Sequence, residues 1–194
     1  MTVRPYRQVA RAEATERTRR AILDAAQELF REEELYDFPL DRVAERAGVS
    51  TRTLLRHFAS REGLFEEALA DAEATVAASR EAVPGDVDGA IRVLVDHYEA
   101  VGDETVRRLA AAERYPLARR VVESGERLHQ EWVGEVFAGD LERLERPARE
   151  RRLALLATVT DVYVWQLLHR RHGLGRTAAE GAIRALVEQA RTAG

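Results

Sequence analysis

Residues 47–58, Ala47-Gly48-Val49-Ser50-Thr51-Arg52-Thr53-Leu54-Leu55-Arg56-His57-Phe58 (AGVSTRTLLRHF), decide the fold. Before them, Leu40, Val43, Ala44 and Ala47 fall on one face of a short helix, the spacing of an amphipathic stripe. Gly48 follows at the position where a helix closes through a left-handed residue, which glycine adopts without a Cβ clash. Ser50 is then placed to cap a new helix by accepting the N–H of Thr53. That second helix spans Thr51 to about Phe58, with Leu54 and Phe58 four residues apart as anchors and Val49 in the turn. Its other face carries Thr51, Arg52 and Arg56, with His57 at the edge. Short hydroxyls and long guanidinium forks suit phosphate oxygens and guanine edges. Two short helices joined by a tight glycine turn form a helix-turn-helix, whose second helix fits the major groove. Ser60 is positioned to cap a third helix from Arg61, whose positive N-terminal end can hold one more phosphate.

Upstream, Ile22, Ala25, Ala26, Leu29 and Phe30 repeat at helical spacing and predict one amphipathic helix from Thr15 to Arg31. Asp37-Phe38-Pro39 interrupts it, and Pro39 suits the first turn of the next helix, where its missing N–H costs nothing. Residues 1–14 carry Arg4, Arg7 and Arg11 with Pro5 and Tyr6 among them. They are expected to form a flexible basic arm that enters an adjacent minor groove or tracks phosphates. Charge is distributed to match. Residues 1–12 and 46–61 hold seven arginines and no acid, so a net charge of −4 leaves −11 on the remainder. A polyanion is repelled everywhere except near those two windows.

The segment from Leu40 to Leu69, with Ala44, Ala47-Gly48-Val49-Ser50, Thr53-Leu54, His57-Phe58, Ser60-Arg61-Glu62 and Leu64, closely resembles the DNA-binding domain of the TetR family of bacterial transcription regulators. The resemblance covers roughly residues 15–70, the size of one such module. It implies a homodimer on a palindromic operator of double-stranded DNA, repression as the usual outcome, and release by a small-molecule effector. It implies that Thr51 and Arg52 face bases while Thr53, Arg56 and His57 face the backbone. Two positions depart from the family pattern. Leu55 stands where a tyrosine is usual, and Pro39 where a threonine is usual; each departure removes a hydroxyl from the phosphate contacts.

From residue 71 to 194 the chain continues as helices and is expected to form an effector-binding and dimerisation domain. Breaks are predicted at Pro84-Gly85-Asp86, at Gly102-Asp103 and at Pro116. The stretch Ala154–Arg171, ALLATVTDVYVWQLLHRR, predicts a single helix apolar nearly all round, buried on more than one side. A last helix after Gly175, capped by Thr177, places Ile183, Leu186, Val187 and Ala190 over part of it. The apolar surface left over predicts a second subunit, and isologous pairing is the commonest assembly. Polar groups inside these apolar stretches are the effector-pocket candidates: His97, Tyr98, Tyr115, His129, Trp132, Thr158, Asp161 and Trp165. Asp161 stands out, because a carboxylate inside an apolar helix is costly unless it is paired.

Composition limits the alternatives. The chain has 194 residues, 45% hydrophobic and 33% charged, and no cysteine, which predicts a globular protein without disulfides or thiolate metal sites, and helical patterns along nearly all of it make the expected fold all-α. No apolar run approaches the roughly 18 residues of a membrane span and no signal peptide is visible, so a cytoplasmic location is expected. His169 and His172 lie three apart on one helix, but no carboxylates accompany them and Arg170 and Arg171 oppose a cation. No metal, cofactor or catalytic residue is expected, since no phosphate loop, dinucleotide fingerprint or nucleophile elbow is present. Two other readings stay open: a regulator without an effector, and an all-helical enzyme or scaffold that keeps the helix-turn-helix as structure.

Overall fold

The computed structural model describes residues 4–32 and 39–193. All regular structure among them is helical. The chain divides into two compact units, Met1–Ala72 and Glu73–Gly194.

In the first unit, helix α1 spans Arg4–Glu32, α2 Leu40–Arg46, α3 Thr51–Phe58, and α4 begins at Arg61 and runs to Ser79. Helix α1 starts earlier than its apolar stripe. The segment expected as a flexible arm is helical from Arg4 onward, so Arg4, Arg7 and Arg11 lie on α1 itself. Alanine, glutamate, glutamine and arginine dominate this stretch and are strong helix formers, while Pro5 sits in the first turn, where it removes no helical hydrogen bond. Among the described residues of α1, burial begins at Ile22: Ile22, Ala25, Ala26 and Leu29 are buried, as are Val43, Ala44, Leu54, Phe58, Leu64 and Phe65 of the neighbouring helices. Pro39 lies one residue outside α2, as its extended N-cap rather than in its first turn. Asp37 and Phe38 fall outside the described residues.

The second unit continues with α5 (Val87–Ala111), α6 (Pro116–Val136), α7 (Ala138–Leu141), α8 (Arg146–Val159), α9 (Val162–Gln166), a π-helical turn (Leu167–Arg171) and α10 (Arg176–Thr192). Its core is built around α5, whose Ile91, Leu94 and Val95 are fully buried with Val133, Phe137, Leu141, Leu156, Trp165, Ile183 and Val187. Asp86 caps α5 by accepting the Gly89 N–H at 3.0 Å, and Pro116 occupies the first turn of α6.

Three sequence expectations for this unit change. Gly102-Asp103 is no boundary but lies inside α5. The glycine is there for packing, because a Cβ on Gly102 would come within 2.5 Å of the Trp165 ring, and that ring is fully buried. The apolar stretch Ala154–Arg171 is not one helix. It breaks at Thr160-Asp161, where the Asp161 carboxylate accepts the Tyr163 N–H at 2.8 Å and the Thr160 hydroxyl donates to the Leu156 carbonyl at 2.6 Å. Side-chain oxygens that bond nearby backbone compete with the helical ladder, so Asp161 is the cap of α9 rather than an unpaired carboxylate in a helix. Finally, Gly175 is the N-cap of α10, and Thr177 lies inside its first turn. A left-handed Gly173 (φ 67°) closes the π-helical turn before it.

A Gly102→Ala variant is expected to lose about 1–3 kcal/mol of stability through overpacking against Trp165. Gly125→Ala, in the interior of α6 with nothing within 4 Å of the added methyl, is expected to gain up to about 1 kcal/mol from helix propensity. Urea unfolding of both checks the contrast, and equal effects would contradict the packing role of Gly102.

Candidate nucleic-acid interface

Helix α2 ends in a double hydrogen-bonded closure. The Gly48 N–H donates to the Glu45 carbonyl at 3.1 Å and the Val49 N–H to the Ala44 carbonyl at 2.9 Å, with Gly48 at φ 66°. This is the pattern of a Schellman turn, which needs a left-handed residue at that point. The Ser50 hydroxyl oxygen accepts the Thr53 N–H at 3.1 Å and lies 3.0 Å from the Thr53 hydroxyl. Ser50 and Thr53 therefore spend much of their hydrogen-bonding capacity on starting α3.

Leu54 and Phe58 are buried on one side of α3, and Arg52 and Arg56, four residues apart, are exposed on the opposite side. Neither arginine makes an ion pair or hydrogen bond among the described residues. Thr51, Thr53 and His57 are half-buried at the margins of that face. Leu55 is 37% exposed beside the two arginines. The helix thus presents two free guanidinium groups with an apolar side chain among them.

The far end of α3 is held from α1. Arg19 Nη1 donates to the His57 carbonyl at 3.1 Å, its guanidinium lies 4.6 Å from the Phe58 ring centre, and it pairs with Glu67. A cation at a helix C-terminus satisfies a free carbonyl and the negative end of the dipole. Reading the motif does not find Arg19, because its partner is a backbone oxygen on another helix. After α3 the chain turns within one residue: Ala59 takes φ 60°, ψ −43°, and the Ser60 N–H reaches the Phe58 carbonyl at 2.6 Å. A γ-turn of this sign is strained. Ser60 then caps α4 through the Gly63 N–H at 2.9 Å, and a Cβ on Gly63 would stand 2.3 Å from the Phe58 carbonyl oxygen.

Two basic residues of the 46–61 window already meet carboxylates. Arg46 bonds Glu32 at 2.9 Å, and Arg61 Nε lies 3.5 Å from Glu62. On α1, Arg11 is exposed. Helices α1 and α4 are joined by Asp71, which accepts from Arg20 at 2.5 Å and from Gln27 at 2.8 Å. The Arg20 guanidinium, then Gln27, hold the Asp71 carboxyl below its ordinary value of 3.8 against the opposing effect of burial.

In the second unit, four of the effector-pocket candidates gather around a residue the sequence reading missed. Arg80, only 6% exposed, donates to His129 Nδ1 at 2.7 Å, lies 4.9 Å from the Trp132 ring centre, and gives its carbonyl to Trp132 Nε1 at 2.8 Å. Since His129 Nδ1 accepts, its proton sits on Nε2, which reaches the Ala157 carbonyl at 3.1 Å and the Thr160 hydroxyl at 3.2 Å. Tyr98 donates to the Thr160 carbonyl at 2.9 Å, and His97 Nδ1 lies 3.1 Å from the Ser79 hydroxyl. Burial first, then the Arg80 charge, lowers both His97 and His129 to about 4. Burial raises the Tyr98 phenol, and it raises Asp161 against the Tyr163 N–H. Both imidazoles are therefore neutral at pH 7.

Arg80 and Trp132 line an open cleft of about 210 Å³ with Val76, Ala77, Leu128 and Val136. The other candidates stand apart from it. Tyr115 is exposed, Thr158 bonds the Ala154 carbonyl at 2.7 Å, and Trp165 donates to Glu99 at 3.1 Å. His169 stacks on Trp165 with ring centres 5.4 Å apart and bonds the Leu174 carbonyl at 2.7 Å. No cluster of metal-ligating side chains occurs among the described residues, and no helix there is long and apolar enough to cross a membrane.

Residues 22–68, from Ile22 on α1 to Ala68 on α4, match the family model for bacterial regulatory proteins of the tetR family. No curated protein matches the chain.

Stability that depends on ionised Asp71 is fully present above the carboxyl's unfolded value and is lost as pH falls through its lower folded value. Between about pH 5 and pH 2 the wild type is therefore expected to lose more unfolding free energy than Asp71→Asn. Urea midpoints at several pH values measure this, and parallel curves would contradict the Arg20–Asp71 account.

Proposed function

We propose that this chain, a member of the TetR family and a DNA-binding transcription regulator, acts as a homodimeric repressor that leaves a palindromic operator when a small effector binds its second unit. The observation that carries the reading is the face of α3. Arg52 and Arg56 are exposed and form no ion pair or hydrogen bond among the described residues, on a helix capped at one end by Ser50 and held at the other by Arg19. A rigid helix with free guanidinium groups fits the major groove, where arginine pairs with guanine edges and phosphates.

In this reading Arg52 and Thr51 meet bases, and Thr53, Arg56 and His57 meet the backbone. Ser50 starts the helix, Arg61 adds a phosphate contact at the start of α4, and Arg4, Arg7 and Arg11 extend a basic edge along α1. One α3 offers few base contacts, whereas a two-fold pair reads half-sites about 34 Å apart. Support for pairing comes from the exposed apolar side chains of the last helices, Leu155 and Leu186 at 43% and 40% with Tyr163 and Leu167 similarly open. An effector that weakens operator binding must itself bind more weakly to the operator-bound form. The cleft at Arg80 supports the effector reading over a regulator with a closed core.

On the duplex that the protein retains best, Arg52→Ala is expected to cost about 1–3 kcal/mol and to relax base preference. Arg56→Ala is expected to weaken all sequences alike and to lower the salt slope by about one. Fluorescence anisotropy at two salt concentrations separates the two, and equal losses on every sequence would remove base reading from Arg52. Leu55→Tyr, which restores a phenol to the exposed face, is expected to tighten binding by about 1 kcal/mol. Leu186→Glu is expected to sediment as a folded monomer with weakened operator binding; an unchanged dimer would move the interface elsewhere.

A further inference from the structure

We propose that the cleft beside Arg80 binds a small organic monocarboxylate, its carboxylate on the Arg80 guanidinium and its apolar body against Trp132 and Leu128. The inference rests on the effector-responsive reading and names the chemical class of the effector.

Arg80 is a buried cation without a counter-ion. At 6% exposure it forms no ion pair among the described residues. Its Nε has no hydrogen-bond partner among the described residues and is shielded from solvent. The groups that interact with it directly are uncharged: the neutral His129 imidazole at 2.7 Å, the Trp132 ring and the Tyr98 phenol, with its proton held by burial. By contrast Arg191, 30% exposed, has Asp140 at 2.7 Å. A guanidinium cannot relieve its burial by losing a proton, and an isolated buried charge is costly unless an opposite charge meets it.

The wall of the cleft describes what that charge belongs to. A carboxylate matches the planar fork of a guanidinium better than a spherical anion does. The cleft, about 210 Å³, lies below the roughly 300–1,000 Å³ of drug-sized pockets, so the body is small. Trp132, Leu128 and Val136 give it an apolar surface. The exposed Glu81, Glu131 and Glu135 also line the cleft, with Glu131 partly neutralised by Arg127 at 3.3 Å. Their charge disfavours a second negative group, which selects monocarboxylates over phosphate esters and dicarboxylates.

The test is calorimetric titration of the full chain with benzoate, with its neutral analogue benzyl alcohol and with phthalate. Saturable binding of benzoate, one per chain and at least about tenfold tighter than either comparison compound, is expected. Arg80→Met is expected to abolish it. Leu128→Trp, which fills the cleft from its half-exposed wall without touching the buried arginine, is expected to abolish it as well and keeps the test decisive where Arg80→Met does not fold. Equal binding of benzyl alcohol, benzoate binding that survives Leu128→Trp, or no uptake of benzoate at millimolar concentration would each overturn the proposal. Duplex binding measured on the same preparation separates the two readings. A protein that holds DNA but takes up no benzoate contradicts this inference alone, and one that takes up benzoate but no duplex contradicts the regulator reading alone.

Discussion

Presentation of Arg52 and Arg56 depends on a turn made almost entirely of backbone hydrogen bonds. Gly48 takes a left-handed conformation (φ 66°) so that its own N–H and that of Val49 can return to Glu45 and Ala44. Any side chain at residue 48 would strain that closure. The turn fixes the direction in which α3 leaves α2, Ser50 fixes its first residue, and Leu54 and Phe58 fix its rotation about its own axis. The arginines are then exposed as a consequence of what is buried. At the other end, the γ-turn at Ala59 and the Ser60 cap on the Gly63 N–H set the direction in which α4 leaves α3. A helix of only eight residues is too short to be stable alone, so this clamping at both ends is what makes it rigid.

The second unit uses its polar residues differently. In the first unit charges pair in the open, as Arg20 does with Asp71 and Arg46 with Glu32, and such pairs contribute modestly because water screens them. Around Arg80 the polar atoms are taken out of water and linked in one chain, from the guanidinium through His129 and Thr160 to Tyr98. Buried networks of this kind hold one arrangement strongly when every member is satisfied. Here one member, the Arg80 Nε, is not. The guanidinium itself stands on the wall of a cleft, where an anionic ligand can meet its uncompensated charge.

Much of the first unit is legible in the sequence because its rules are local. A glycine just after an apolar-striped helix, a serine three residues before a capped N–H, and leucine and phenylalanine four apart each constrain neighbours in the chain, and the run from Leu40 to Phe58 contains all of them. Pro116 and Asp86 announce helix starts for the same reason. The misreadings arise where the cause is distant. Gly102 looks like a helix boundary, yet its reason is the Trp165 ring from another helix. Thr160 and Asp161 look like polar intrusions in a buried helix, yet they end one helix and cap the next. The basic N-terminal segment looks like an arm because its helical half has no apolar stripe to reveal it. Arg80 is the hardest to find, since Ser79-Arg80-Glu81 reads as a solvated helix end and only the folded chain shows the guanidinium buried under Trp132.

Selection of bound sequences from a random duplex library by the full chain tests the central claim most directly. The account predicts enrichment of a two-fold symmetric site, bound by a dimer, with half-sites about one helical turn apart and an affinity that falls steeply with salt. Enrichment of no sequence by a folded, dimeric protein would contradict it, and would leave the exposed arginines of α3 without a partner.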